Sequence, residues 1–230
     1  MPQGHSLPGV SSTTPTPPQA SLTERRKAET RMEIARAAAG LFVRHGLRGT
    51  RAEDIAQSAG IAPRTFYRYF ATKEEAVAPL YAAGAQRWVE AVRAAPADDS
   101  VPQALEHAVR HTLTPGVGVS ASSWEWVRTL LRLAEANPSL RRVWAEVCQV
   151  SERTLGEVLA DRGTRTGTPE GDDNVAPTLE SRFAAAVASA AVRTALEGWA
   201  EGGGPVEGPG GPAELALRNL RALRHFPWDA

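Results

Sequence analysis

The chain has 230 residues, of which 42% are hydrophobic, and its formal net charge at pH 7 is zero. This length provides for one small domain and a larger one with a sizeable core. The single cysteine, Cys148, excludes an internal disulfide and a cysteine-rich zinc site and fits a reducing cytoplasm. No apolar run approaches the roughly 20 residues of a membrane span, so we expect a cytoplasmic protein without a membrane partner.

The first 20 residues have no apolar periodicity. They are rich in proline, serine, threonine and glycine, which predicts a disordered tail over residues 1–20. A first helix is predicted to begin near Ser21–Glu24 and to end at Gly46. Its apolar stripe recurs at helical spacing and consists of Ile34, Ala38, Leu41 and Phe42.

The next segment, TRAEDIAQSAGIAPRTFYRYFATK over residues 50–73, predicts two short helices separated by a tight turn. Thr50 and Glu53 have the spacing of a capping box at the start of the first helix. Gly60 suits the left-handed residue that ends a helix, and Pro63 suits the first turn of the next one. The inward face of that second helix carries two phenylalanines four residues apart, Phe66 and Phe70. A short helix with an exposed outer face fits the major groove of DNA.

These residues closely resemble the TetR (tetracycline-repressor-type) family of transcriptional regulators. The residues that carry the resemblance are Thr30, Arg31, Ile34, Ala38, Leu41, Phe42, Gly46, Thr50, Asp54, Ile55, Ala56, Ala59, Gly60, Ile61, the run 65–70, Lys73 and Glu74. The resemblance covers about the first third of the chain after the tail. It implies an all-α fold of about nine helices. An N-terminal three-helix DNA-binding domain would span residues 21–72, with its helix-turn-helix at about 51–70. A helical effector-binding and dimerisation domain would span residues 73–230.

The bounds of the remaining helices are predicted from the prolines, glycines and polar stretches that separate the periodic apolar segments. A fourth helix is predicted from Lys73 to about Ala94, and Pro79 inside it is expected to bend it. Whether such a bend transmits a signal or is static stays open. Ser122 is expected to cap the sixth helix. Five further helices are predicted at about 101–113, 123–135, 138–161, 175–201 and 212–225, with a polar loop at 162–174 and a flexible connection at 202–211.

Charge is distributed unevenly along the chain. Residues 23–73 contain eleven lysines and arginines and five acidic residues, a net charge of +6, so the remainder carries −6. A basic module attached to an acidic body is typical of nucleic-acid binding. The candidate DNA-binding residues are Thr50, Arg51, Arg64, Thr65, Tyr67, Arg68, Tyr69 and Lys73.

Their expected roles differ. Arg64 and Thr65 lead the second short helix and are candidates for reading base edges, since arginine can bind guanine through two hydrogen bonds. Arg68 suits either bases or phosphates. The family resemblance implies phosphate contacts for three residues, Tyr67, Tyr69 and Lys73, while Thr50 and Arg51 lie where a flanking phosphate is expected. Ordinary packing of the tyrosines and a solvated Arg64 remain alternatives.

The larger domain is rich in tryptophan, which suggests an apolar ligand pocket. The candidate ligand-binding residues are Trp124, Trp126, Arg128, Trp144 and Arg193; Trp88, Trp199 and Arg132 are further possibilities. In that arrangement an arginine would meet an anionic or polar group of the ligand. The alternative is that the tryptophans are simply core residues. No catalytic constellation, metal site or cofactor motif stands out, so we expect neither an enzyme nor a cofactor.

Helix 8 contains a run of small residues from Phe183 to Val192, which permits close approach of another helix. The resemblance implies that helices 8 and 9 pair with their copies in a homodimer; packing of the run within one subunit is the alternative. Two functions remain open. One is a repressor that binds a palindromic operator of double-stranded DNA and is released by an unknown small-molecule effector. The other is a chromosome-associated protein that binds DNA without strong sequence preference or effector.

Overall fold

In the computed structural model, residues 21–117, 121–166 and 176–228 are described, and the predicted tail lies outside them. These ranges hold nine α-helices and one 3-10 turn, Glu75–Val77. The all-α prediction is confirmed. The helices are α1 (Leu22–His45), α2 (Ala52–Ser58), α3 (Pro63–Tyr69), α4 (Ala78–Ala94), α5 (Val101–Leu113), α6 (Ala121–Ala136), α7 (Pro138–Thr166), α8 (Leu179–Gly202) and α9 (Pro212–Ala222).

Helix α1 has the predicted ends. The Ser21 hydroxyl accepts a hydrogen bond from the Glu24 N–H at 3.2 Å, which satisfies one of the free donors of the first turn. Gly46 follows the helix with φ of 68°, a conformation that side chains disfavour. The face between these ends buries Ile34, Ala38 and Phe42 against α2 and α3.

The start of α2 differs from the prediction. Arg51, not Thr50, precedes the helix, and its N–H donates to the Asp54 carboxylate at 2.8 Å. The Thr50 hydroxyl instead donates to the Gly46 carbonyl at 2.9 Å, and the residue is only 1% exposed. The proposed Thr50–Glu53 capping box is therefore wrong. Thr50 satisfies a carbonyl at the end of α1 because the chain turns back there.

The turn into α3 is as predicted. Gly60 has φ of 68°, and Pro63 is the first residue of the helix. Phe66 and Phe70 are buried, with ring centroids 5.8 Å apart. Their packing leaves the opposite face of α3 to solvent.

The predicted bend at Pro79 is wrong. A 3-10 turn precedes α4, which begins at Ala78, so Pro79 is its second residue. A proline in the first turn replaces an N–H that has no partner within the helix, and it causes no kink. The Thr72 hydroxyl accepts from the Glu75 N–H at 3.3 Å, as expected for a cap just before this turn.

Two predictions in the larger domain are also corrected. Ser122 lies inside α6, which begins at Ala121, so it is not the residue that precedes that helix. Helix α7 continues to Thr166 and takes in Arg162, which had been assigned to a polar loop. Arg162 is 4% exposed because its guanidinium donates to four carbonyl oxygens at the end of α4 and beyond it, those of Val92, Ala95, Pro96 and Asp99.

The buried side chains form two clusters. The first joins α1–α3 and the start of α4 to four residues of α6 and α7, namely Leu130, Ala134, Leu140 and Val143. The second lies among α4–α9 and contains Trp88, Trp124 and Trp199. The division of the chain at residue 73 stays a prediction. No helix in the described ranges is long and apolar enough to cross a membrane.

Candidate nucleic-acid interface and internal cavity

The outer face of α3 presents the side chains predicted to bind DNA. Arg64 and Arg68 are exposed, and among the described residues neither forms an ion pair. Tyr67 is 52% exposed, while Thr65 and Tyr69 are partly buried. Unpaired guanidinium groups on a short exposed helix can reach either base edges or phosphates.

Helix α3 is held against α1 by an arginine. Arg31 donates from Nη1 to the carbonyl oxygen of Tyr69, the last residue of α3, at 3.1 Å. Its guanidinium also lies 4.6 Å from the centroid of the Phe70 ring. A cation at the C-terminal end of a helix opposes the negative end of its dipole. Sequence reasoning included Arg31 in the family resemblance and in the net positive charge but missed this positioning role.

Lys73 is less free than the sequence suggested. Its ammonium donates to the carbonyl oxygens of Leu47 and Thr50 at 2.7 and 2.8 Å. Two of its three N–H donors are therefore engaged with the loop between α1 and α2. The side chain ties that loop to the segment after α3, and it retains one donor for a phosphate.

An acidic residue lies beside the basic surface. Glu53 is 3.4 Å from Arg51 in an exposed ion pair, and it accepts a 3.5 Å hydrogen bond from the Tyr67 hydroxyl. Exposed pairs of this kind contribute little stability and are readily exchanged for other partners. Arg51 and Tyr67 are thus available to phosphates, whereas the buried Thr50 side chain is not.

A cavity of about 790 Å³ lies within the larger domain. Four of the predicted tryptophans line it, Trp88, Trp124, Trp126 and Trp144, and so does Arg193. Tyr81 adds a fifth aromatic side chain to the wall. The volume is in the range of drug-sized ligand sites, and the aromatic wall suits an apolar molecule.

Two predicted arginines are used elsewhere. Arg128 does not line the cavity: its guanidinium donates to the Gly204 carbonyl and lies 4.3 Å from the Trp199 ring centroid. Arg132 donates to the Ala200 carbonyl and is likewise absent from the wall. Both arginines fasten α6 to the end of α8 and the loop after it. Neither arginine contributes to the wall of this cavity, and their role in ligand binding stays a prediction.

Arg193 lines the cavity but is already paired. Its guanidinium lies 3.2 Å from a carboxylate oxygen of Glu197, one turn further along α8. The other oxygen of Glu197 accepts a hydrogen bond from the Trp144 indole at 2.8 Å. The positive charge of Arg193 is thereby balanced, and the Trp144 ring is held in place.

Two further wall groups are uncharged near neutral pH. Burial raises the pKa of the Cys148 thiol to about 12. Burial also raises the pKa of Tyr81, whose hydroxyl donates to the Leu130 carbonyl at 3.0 Å. Both side chains therefore present neutral surface to a ligand.

The cavity extends to α1 of the DNA-binding end, which sequence reasoning did not anticipate. Arg36 on α1 is part of its lining. One turn later, a Cβ at Gly40 would lie only 3.3 Å from a ring carbon of Trp126, which also lines the cavity. The wall of the cavity is thus in close contact with the helix that supports α3.

Comparison with known proteins agrees with this arrangement. The family described as "Bacterial regulatory proteins, tetR family" matches residues 34–78. The HTH-type transcriptional regulator TcmR of Streptomyces glaucescens is 31% identical over 193 residues, which are 82% of this chain and 80% of TcmR. The chain belongs to the TetR family. It is accordingly a DNA-binding transcriptional regulator.

Solved structures of two regulators share the fold. Thermus thermophilus FadR, a repressor in complex with lauroyl-CoA, superposes with a TM-score of 0.53 at 24% identity, covering 84% of this chain and 92% of that one. The flavonoid-responsive regulator FrrA gives a TM-score of 0.50 at 21% identity, covering 86% and 96%. At these identities the likeness concerns the fold alone.

Proposed function

We propose that this TetR-family protein represses transcription by binding a palindromic operator as a homodimer, and that a small molecule in the cavity releases it. The observation that carries the proposal is the contact between the two sites: the cavity that Trp126 lines reaches α1, and α1 holds the recognition helix α3 through Arg31. A ligand that favours another position of this wall would change the spacing of the recognition helices. Such a regulator acts on the chromosome in the cytoplasm, and no enzymatic activity is proposed.

On the DNA, we assign base reading to Arg64 and Thr65 at the start of α3. Arg51, Tyr67 and Tyr69 would hold phosphates on either side, and Arg68 suits both tasks. These roles agree with the exposure of Arg51, Arg64, Tyr67 and Arg68. Lys73 would add one phosphate contact while it holds the α1–α2 loop.

For the dimer, we propose a face formed by α8 and α9. The small residues Ala184, Ala185 and Ala188 are buried within the subunit, so this part of the run cannot meet a partner. Leu179 and Phe183 lie one turn apart on α8 and are 76% and 59% exposed. Large apolar side chains exposed together are typical of an interface. A two-fold dimer would place two copies of α3 in successive major grooves.

The effector response rests on the cavity. A protein that coats DNA without an effector has no need of an aromatic cavity of about 790 Å³ in contact with its DNA-binding end. Two structural relatives are described as a complex with lauroyl-CoA and as flavonoid-responsive. The cavity favours a ligand-responsive repressor over a sequence-tolerant chromosome-associated protein.

The test is selection of bound sequences from a random duplex library by the full-length protein. We expect a palindrome whose half-sites are about one helical turn or more apart. Arg64→Ala should lose the preference at particular base pairs, whereas the control Arg142→Ala, an exposed arginine on α7, should select the wild-type motif. Recovery of no motif in spite of salt-sensitive binding would contradict the proposal and favour the chromosome-associated alternative.

A further inference from the structure

The charged residues that line the cavity are of one sign. Among the described residues they are three arginines, Arg36, Arg87 and Arg193, and no aspartate or glutamate lines it. A cationic ligand would meet repulsion without a compensating carboxylate. The lining therefore selects against cations and in favour of neutral or anionic molecules.

Only two of these arginines are available to a ligand. Arg193 is neutralised by Glu197, as described above. Arg36 and Arg87 are exposed, and within the described part of the chain no acidic side chain pairs with either. Because both are exposed and both line the cavity, they lie where it meets solvent. An anion bound there keeps part of its hydration, which limits the cost of desolvation.

The interior has a different character. Its large side chains are apolar: four tryptophans and Tyr81 lie among leucines and valines. The thiol and the phenol in the wall are uncharged near neutral pH. Flat rings pack well against such walls in offset or edge-to-face arrangements. Apolar rings inside and positive charge at the opening are complementary to a molecule with a ring system at one end and an acid at the other.

Given the effector response proposed above, we infer that the effector is an apolar, ring-containing acid whose anionic group is bound by Arg36 and Arg87. Arg36 belongs to α1 and Arg87 to α4. The acid would therefore contact the DNA-binding end directly, while the rings contact α6 through Trp124 and Trp126. Neither arginine stands out in the sequence, because each is one among many exposed cations.

The test compares two fluorescent probes with the same rings. One is 8-anilinonaphthalene-1-sulfonate, and the other is N-phenyl-1-naphthylamine, which lacks the sulfonate. Each is titrated into full-length wild type, Arg36→Gln, Arg87→Gln and the control Arg153→Gln, an exposed α7 arginine outside the lining. Each cavity substitution should weaken sulfonate binding by about fivefold at low salt and leave the neutral probe unchanged. Trp124→Ala should weaken both probes, which places them in the cavity.

Three results would overturn the inference. They are equal effects on both probes, no effect of either arginine, and binding of neither probe. Two unlabelled acids are then compared as competitors of the sulfonate probe. Laurate, an apolar acid without rings, should displace the probe at least tenfold more weakly than naphthalene-1-carboxylate, an acid with rings. Equal displacement would refute the requirement for rings. Since none of these titrations uses DNA, failure of operator selection would contradict the proposed repressor function and leave this result standing.

Discussion

Replacement of Arg162 by methionine tests a buried guanidinium that donates to several backbone carbonyls. Arg162 is 4% exposed and donates to four carbonyl oxygens, two of them, on Val92 and Ala95, in buried positions at 3.3 and 3.0 Å. Methionine fills similar volume but leaves those acceptors without a donor. A lost charged hydrogen bond to a buried acceptor costs about 1.5 kcal/mol, so the two together cost about 3 kcal/mol. The other two carbonyls are partly exposed and regain water.

The assay is thermal unfolding followed by circular dichroism at fixed protein concentration, since the proposed dimerisation would make the midpoint concentration-dependent. For a chain of this size, 3 kcal/mol corresponds to a fall in Tm of roughly 6–12 °C. Arg153→Met on the exposed face of the same helix is the control and should change Tm by less than about 2 °C. A Tm for Arg162→Met equal to that of the control would refute the reasoning, because α4 would then not depend on these hydrogen bonds.

Three further outcomes are expected. Lys73→Met should weaken binding to all DNA sequences. It should also lower Tm by a few degrees, because it removes two hydrogen bonds to the α1–α2 loop. The control Arg51→Gln, measured by the same DNA titrations and thermal melts, should weaken binding without changing Tm. Phe183→Glu should convert the proposed dimer to monomer in sedimentation analysis, because it places a charge in the proposed interface. The control is Leu22→Glu, which replaces an exposed apolar side chain of α1 and should leave the dimer intact. The Cys148 thiol should react with a disulfide reagent at pH 8 at least about a hundredfold more slowly in the native protein than in urea, because burial raises its pKa to about 12.

The first two outcomes each have a clear contrary result. Loss of affinity in Lys73→Met with an unchanged Tm would assign the lysine to phosphate alone. A dimeric Phe183→Glu would exclude that part of α8 from the interface.

For the Cys148 thiol, the raised pKa in the native state also means that the thiol of the unfolded chain loses its proton first as pH rises above about 9. Stability should therefore fall between pH 9 and 12 in the wild type, and Cys148→Ala should reduce this fall.

Local patterns were the most predictable part of the structure. Ser21, Gly46, Gly60 and Pro63 occupy the helix ends that the sequence indicated, because caps and turns depend on residues only a few positions apart. The inward pair of phenylalanines in α3 follows from helical spacing in the same way. The helix-turn-helix and its basic surface were therefore accessible from sequence.

Features that depend on partners distant in the sequence could not be predicted from it. Lys73 binds the carbonyl of Leu47, 26 positions earlier, and Arg162 binds carbonyls more than 60 positions earlier; nothing in the sequence specifies these acceptors. Thr50 was misassigned for a similar reason, since its hydroxyl is turned toward α1. The ligand-binding prediction shows the same limit. Tryptophans indicated a cavity, but helix packing decides that Arg36 lines it and Arg128 does not.

The contribution of α1 to the cavity bears on the construction of hybrid regulators. A common plan is to join the DNA-binding domain of one protein to the sensing domain of another at a single boundary. Here a cut near residue 73 would remove Arg36 from the cavity and replace Gly40, whose missing side chain leaves room for Trp126. The four α6 and α7 residues buried against α1 would also meet an unmatched surface. A hybrid with altered operator choice should instead exchange α2 and α3 and keep α1 with the sensing domain.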